Sequence, residues 1–379
     1  MAALTEEQAL LKEQVSSWAR EEAPVSKFRE MRDRGTETGF DKGTWSAIAE
    51  MGWAGILIPE DQGGVAMGHL TFGVVLEELG RQLTASPLLT SAGTGACAII
   101  LAGSEAQKKE WLPGLSDGSQ IFALAVDETP RHAAPDQIAL QAEASGDGFI
   151  LNGLKVHVPE GLSADAFIVA ARTQGQPGES NGLSLFVIQG DTPGISRKRL
   201  RTADSRGYAN IEFSGVHVAR SALLGELDEA APLLEQILDC GRAHLAAEML
   251  GVAAQAFDMT LDYLKNRIQF GQPIGSFQAL GHRASILYTE MEMTRSCVEA
   301  ALEALDKGDE NTAELCSLSK CKAGQFLHHM SNELIQIHGG IGMTDEFDAG
   351  LYLKRARALE YALGNEAFHR DRFASLRGF

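Results

Sequence analysis

The chain has 379 residues, enough for two or three domains at roughly 100–200 residues each, and its 44% hydrophobic content can bury a large core. A formal net charge of −18, from 51 acidic and 33 basic residues, repels polyanions and argues against nucleic acid as a partner. No apolar run approaches the roughly 18 residues of a membrane span, and MAALTEEQALLKEQ lacks the basic and apolar regions of a signal peptide. Cys97, Cys240, Cys297, Cys316 and Cys321 are scattered and form no C-x-x-C pair. They read as free thiols of a soluble, cytoplasmic protein, with no metal site.

Periodicity divides the chain into three blocks. Residues 1–117 read as helical. Thr5 and Gln8 in TEEQ have capping-box spacing, and Leu10, Leu11, Val15 and Trp18 recur on one helical face. FDKGTWSAIAEMGWAGI reads as a second helix, stopped near Gly52, and IPEDQGG as a turn. HLTFGVVLEELGRQL and AGTGACAIILAG read as further helices, and SEAQKKEWLPGL as a short one ended by Pro113.

Residues 118–222 change character. IFALAVDE, DQIALQAEAS, GFILNGLKVHV, DAFIVAART, GLSLFVIQG and YANIEFSGVHV are short β-rich runs. SGDG, and ILNG at a strand end, are hairpin signals. The regular spacing favours an antiparallel sandwich or small barrel over βαβ units. Arg197, Lys198, Arg199 and Arg201 lie between two strand-like runs and read as a solvated turn, with phosphate binding as the other use. Residues 223–379 return to long helices of a bundle. There, Ala243, Ala246, Ala247, Ala253 and Ala254 allow neighbouring helices to approach closely.

Two motifs stand out in the last block. NRIQFGQPIGSFQALGHR places Arg267, Gln269, Phe270 and Gly271 ahead of Gln278. QIHGGIGMTDE carries Gln336, Gly339 and Gly340. With MGWAGILIPEDQGG, LNGLKVHV and IEFSGVHVARSALLG, these motifs make nearly the whole chain resemble the acyl-CoA dehydrogenase family. The resemblance implies an N-terminal helical domain (1–117), a middle antiparallel β-domain (118–222) and a C-terminal four-helix bundle (223–379).

It also implies FAD. By resemblance, Arg267 donates to the pyrophosphate of a flavin held mainly by a neighbouring subunit, a task suited to its planar fork. Gln269 belongs to the same motif. Phe270 would pack near the adenosine, Gln278 and Gln336 would supply amides, and Gly339 and Gly340 would allow backbone contact. The helix C-terminus alone also explains Arg267, and a helix cap explains the glycine pair. On the ring side, Asp127 stands where the family carries threonine. His157 replaces an indole, and Pro159 replaces a hydroxyl residue without offering an N–H.

The family's reaction needs a carboxylate that takes the α-proton of an acyl thioester. Most members carry it in a near-C-terminal Y-E-G-T segment, and Leu363 occupies that position here. Glu360 and Glu366 lie three residues to either side, about 300° around a helix. A minority of members carry it on the long helix, where this chain has Gly241-Arg242. Asp239, two residues before Gly241, points elsewhere, and Glu346 reads as a helix-start acid. Glu248, seven residues after Gly241 and about 10 Å along the helix, is the remaining candidate. Its other reading is a structural carboxylate paired with an arginine.

The resemblance therefore implies FAD-dependent α,β-dehydrogenation of an acyl-CoA to the enoyl-CoA, with electrons passed to an electron-transfer flavoprotein-like acceptor. The chain would work as a homo-oligomer, dimer or tetramer, or with a related subunit. Dehydrogenation is the leading reading; the empty base positions make a base-lacking partner subunit of a hetero-oligomeric acyl-CoA dehydrogenase the second, and a flavin-dependent oxygenase or oxidase on the same fold is a third. The small residues Gly241 and Ala362 leave room for a bulky acyl group.

Overall fold

The structure, a computed structural model, describes residues 4–379. Helices α1 (Glu6–Glu22), α2 (Val25–Arg34), α3 (Lys42–Glu50), α4 (Gly68–Arg81), α5 (Ala96–Ala102) and α6 (Glu105–Ser116) come first. Strands β1 (Phe122–Ala125), β2 (Gln141–Ser145), β3 (Gly148–Val158), β4 (Ala166–Arg172), β5 (Leu183–Gln189), β6 (Ile195–Arg199), β7 (Ala209–Ala219) and β8 (Leu223–Leu224) follow. The last part holds α7 (Ala230–Asn266), the short strands β9 (Ile268–Gln269) and β10 (Gln272–Pro273), α8 (Gln278–Lys307), α9 (Thr312–His338), α10 (Ala349–Tyr361) and α11 (Glu366–Leu376). Among the described residues no helix is long and apolar enough to cross a membrane. The chain forms two compact units: Met1–Arg29, His69–Thr84 and Arg242–Phe379 make a helical one, and Glu30–Gly68 and Ala85–Gly241 contain the sheet.

In the sheet unit the strands run β6-β7-β3-β2-β4-β5-β8, with β1 beside β4. Neighbours are mostly antiparallel, as the sequence suggests, but β1–β4 and β2–β4 are parallel. β4 and β5 are buried almost throughout, as their unbroken apolar runs require. Phe149, Phe167, Phe186, Phe213 and Ile211 fill the core.

Three local readings are corrected. The basic run is strand β6 and not a turn: it pairs only with β7, and charged side chains suit an edge that must not pair further. The ILNG segment lies inside β3 with an irregular register between Leu151 and Gly153, while the SGDG hairpin forms between β2 and β3. Pro113 does not end α6. Proline lacks a donor but keeps its carbonyl, which accepts from the Asp117 N–H at 3.1 Å, and the chain turns at Gly118 with φ 71°.

The helical unit begins with the capping box: the Gln8 N–H donates to Thr5 Oγ1 and the Thr5 N–H to Gln8 Oε1. The three long helices α7, α8 and α9 are 37, 30 and 27 residues long, so they owe their stability to packing along their whole length. α4 crosses α7 with almost no side chain between them. A Cβ on Gly251 would lie 1.9 Å from the Glu77 carbonyl oxygen, so glycine is required there. Glu77 itself is buried and paired with Lys12 at 3.4 Å and Arg295 at 2.7 Å.

Candidate active site

The expected cofactor residues of the helical unit gather at one end of the bundle. Arg267 directly follows α7, and its carbonyl accepts from the Ile274 N–H at 2.9 Å, closing a hairpin over β9 and β10. Phe270 at the hairpin tip has φ 53° and is 92% exposed, meeting Phe277 edge-on at 6.0 Å. Gln278 begins α8. The start of α8 is tied to the end of α9 by Arg283 and Glu333, 2.7 Å apart. Tyr263 near the end of α7 stacks on His338, 4.3 Å between centroids, at the end of α9. Gln336, Gly339 and Gly340 therefore belong to the same edge.

Arg267, Gln269, Phe270, Gln278, Gln336, Gly339 and Gly340 are all exposed, and their chemistry is that of a donor edge for an elongated anion. The Arg267 guanidinium and the Gln278 and Gln336 amides have no partner among the described residues. Gln269 is turned onto its neighbour, donating to the Ile268 carbonyl at 2.8 Å. A Cβ on Gly339 or Gly340 would meet nothing within 4 Å, so the backbone there is open to a ligand. This edge fits the pyrophosphate and adenosine half of FAD.

The ring-side segment of the sheet unit is different. The Asp127 carboxylate is engaged by His132 Nδ1 at 2.8 Å, and the Asp127 carbonyl accepts from the Val156 N–H at 2.7 Å. His157 sits at a register shift of β3 with φ 51°, and its N–H donates to Asn210 Oδ1 at 3.1 Å. Lys155, fully buried, donates to the Val126 carbonyl at 3.0 Å and to Glu128 Oε1 at 2.7 Å. Glu128 in turn accepts the N–H groups of Ala139 and Leu140. The Lys155 amine and the His157 N–H are thus taken up internally, Pro159 has no donor, and the His157 ring stays exposed. This segment fits a flavin ring poorly.

The usual base position lies in the connector between α10 and α11. Leu363, half-buried, has φ 54° and is followed by Gly364 with φ 102°. Two buried donors hold the connector by its carbonyls. Lys320 Nζ reaches Gly364 O at 3.0 Å and Glu360 O at 3.3 Å, and His369 Nε2 reaches Leu363 O at 3.0 Å. Burial pushes the Lys320 amine down to about 7, with Glu360 opposing and Arg242 adding to the shift. Burial, together with Lys320 and Arg242, pushes His369 down to about 2. Arg242, also fully buried, lies over the Phe368 ring at 5.6 Å. The donors that hold the Leu363 connector are therefore cationic or neutral, and the leucine side chain cannot take a proton.

The neighbouring carboxylates are engaged elsewhere. Glu360 pairs with Arg357 and with His328 Nδ1 at 3.1 Å. Glu366 pairs with Arg370 at 2.6 Å and accepts from Gln325 at 2.9 Å. Glu248 Oε1 accepts from Arg355 Nε at 3.0 Å and Nη2 at 2.6 Å. Glu346 is exposed, Gly241 is buried and Asp239 is 4% exposed. Lys320 and His369 escaped the sequence reading. A signal existed for Lys320: it interrupts the core stripe Cys316, Ala323, Leu327, Met330 and Leu334 of α9 at helical spacing.

Comparison with known proteins agrees with this architecture. Family models match in three consecutive parts: "Acyl-CoA dehydrogenase, N-terminal domain" over 5–119, the middle domain over 124–219 and the C-terminal domain over 232–375. The mitochondrial isovaleryl-CoA dehydrogenase of Pongo abelii is 32% identical over 97% of this chain and 88% of its own. A variant of the Tcur3481-Tcur3483 steroid ACAD superposes with a TM-score of 0.87 at 30% identity, covering 98% of each chain. The ChsE4-ChsE5 complex from Mycobacterium tuberculosis superposes with a TM-score of 0.88 at 26% identity, covering 100% of this chain and 99% of that one.

Proposed function

This chain belongs to the acyl-CoA dehydrogenase family, FAD-using oxidoreductases that act on acyl-CoA, and we propose that it is the base-lacking subunit of a two-component member. A related subunit carries the carboxylate and holds the flavin ring, and this chain lends its bundle edge to the same cofactor. Together they oxidise an acyl-CoA to the 2-enoyl-CoA in the cytoplasm and pass electrons to a flavoprotein acceptor. One observation carries the reading: the donor edge around Arg267 is intact and unpartnered, whereas Leu363 and Gly241 stand at both base positions and the nearby Glu360, Glu366 and Glu248 are already paired.

FAD, when bound, supplies the acceptor for the substrate's β-hydrogen. The chain's own residues bind and orient. Arg267 would hold the pyrophosphate, Gln278 and Gln336 would add amide contacts, Phe270 would cover the adenosine, and Gly339 and Gly340 would let the cofactor lie against the backbone. The α-proton must go to a carboxylate outside this chain. Two of the structures it resembles are named as pairs, Tcur3481-Tcur3483 and ChsE4-ChsE5, which supports an assembly of unlike subunits. The steroid in the first name, with the small Gly241 and Ala362, supports a bulky polycyclic acyl group.

A self-sufficient enzyme would need Glu248 as its base. That carboxylate would first have to leave Arg355, which is itself largely buried. Co-expression with a family member that carries the near-C-terminal or long-helix glutamate tests the proposal. The expected result is a co-purifying pair with fewer FAD than chains and activity absent from either chain alone. Failure to pair with any such member would sink it.

A further inference from the structure

The loop between α9 and α10 carries Gly339 and Gly340 and exposes Ile341 and Met343. Gly339–Met343 form a short 3-10 helix, closed by the Thr344 N–H on the Ile341 carbonyl at 3.1 Å, and residues 344–348 beyond it form no regular helix. Part of its shape comes from stacking. His338 packs between Tyr263 and Phe347, at 4.3 and 4.7 Å between centroids, and Nδ1 donates to the Leu334 carbonyl at 2.8 Å. The far end of the loop, which Phe347 ties to His338, is also held by an arginine more than 300 residues away in the chain. Arg29 donates through Nη1 to the Asp345 carbonyl, lies 3.3 Å from Asp345 Oδ2, and donates through Nη2 to Asp348 Oδ1 at 2.5 Å. Asp348 is the residue that begins α10, yet its side chain makes no capping bond; the carboxylate goes to Arg29 instead.

We infer that Arg29 is a positioning residue for cofactor binding: its fork fixes the 339–348 loop so that the Gly339-Gly340 backbone is ordered before FAD arrives. The inference rests on the reading of the Arg267 edge as a FAD donor. A loop ordered in advance loses less entropy on binding, so removing the latch weakens the cofactor without changing any group that touches it. Lysine, a single point charge without the planar fork, cannot span the Asp345 and Asp348 acceptors together, so Arg29→Lys restores the contact in part.

The test uses the full chain in the assembly that binds FAD, stripped of flavin and titrated with FAD by fluorescence. Hydrogen exchange of residues 339–348 is followed in parallel. Arg29→Gln should weaken FAD binding about tenfold and speed exchange in the loop, with Asp348→Asn and Arg29→Lys each causing a smaller loss. Arg29→Gln also removes the Asp345 contacts, so the double variant should be no worse than Arg29→Gln alone. Unchanged FAD affinity in both single variants, with wild type binding normally, overturns the inference and leaves the proposed function standing. If the wild-type assembly binds no FAD at all, the donor-edge reading falls and this inference with it.

Discussion

The Glu248 carboxylate accepts two hydrogen bonds from Arg355 through one oxygen, Nε at 3.0 Å and Nη2 at 2.6 Å. Both side chains are nearly buried, at 11% and 12% exposure. A carboxylate held this way is a structural ion pair between α7 and α10. Glu248→Gln should leave the turnover of the active assembly within about twofold, and should cost about 2 kcal/mol of stability by removing the charge that faces the guanidinium. Kinetics and urea unfolding of the same preparation check both halves. A large loss of turnover at unchanged stability would make Glu248 the base after all.

Arg267 gives the opposite pattern. Its guanidinium is exposed and has no partner among the described residues, so Arg267→Ala should change apo stability by less than about 0.5 kcal/mol. Its loss from a charge-assisted contact to pyrophosphate should weaken FAD binding roughly tenfold to a hundredfold. Equilibrium FAD titration reads this directly; equal affinities would remove Arg267 from the site.

Much of this edge was legible in the sequence. Thr5 and Gln8 announced their cap because both partners sit within one turn, and the R-x-Q-F-G run carried the family resemblance, although the hairpin it forms, turned through positive φ at Phe270 and Gly271, was not read from it. Contacts between distant segments were not legible. Glu248 meets Arg355 107 residues on, and Arg29 meets Asp348 319 residues on; nothing in local pattern selects those partners. Edge strand β6 was hidden for another reason: an edge strand carries the same charges as a loop. The π-helix at Leu88–Gly95 also lay outside the pattern, because its wider turn breaks the 3.6-residue period.

The crossing of α4 and α7 predicts a sharp packing defect. Gly251→Ala places a methyl 1.9 Å from the Glu77 carbonyl oxygen, a backbone atom that cannot swing away. The helices must part, at a cost of about 3 kcal/mol, measurable as a lower denaturant midpoint. An unchanged midpoint would mean the crossing is looser than described.

Acid should destabilise the fold well before its carboxylates titrate. Burial, and then His69, lower His244 well below its ordinary value, and His369 is lowered to about 2. Below about pH 6.5 the unfolded chain takes up protons on these histidines that the native chain refuses, so stability falls as pH falls. Each contributes a slope of up to about 1.4 kcal/mol per pH unit, persisting for His369 down towards pH 2. Urea midpoints at pH 7.5 and 5.5 measure it, and His369→Gln should flatten the profile by about one proton. A flat wild-type profile would contradict the burial of these rings.

The central claim is that this chain binds at a dehydrogenase site without supplying the base. Anaerobic titration with a panel of acyl-CoA thioesters, from butyryl to polycyclic, tests it through the visible absorbance of oxidised FAD. The chain alone, supplied with FAD, should keep its absorbance with every thioester, and the same chain paired with a carboxylate-bearing relative should bleach with the bulky ones. Bleaching of the unpaired chain by any acyl-CoA would contradict the account.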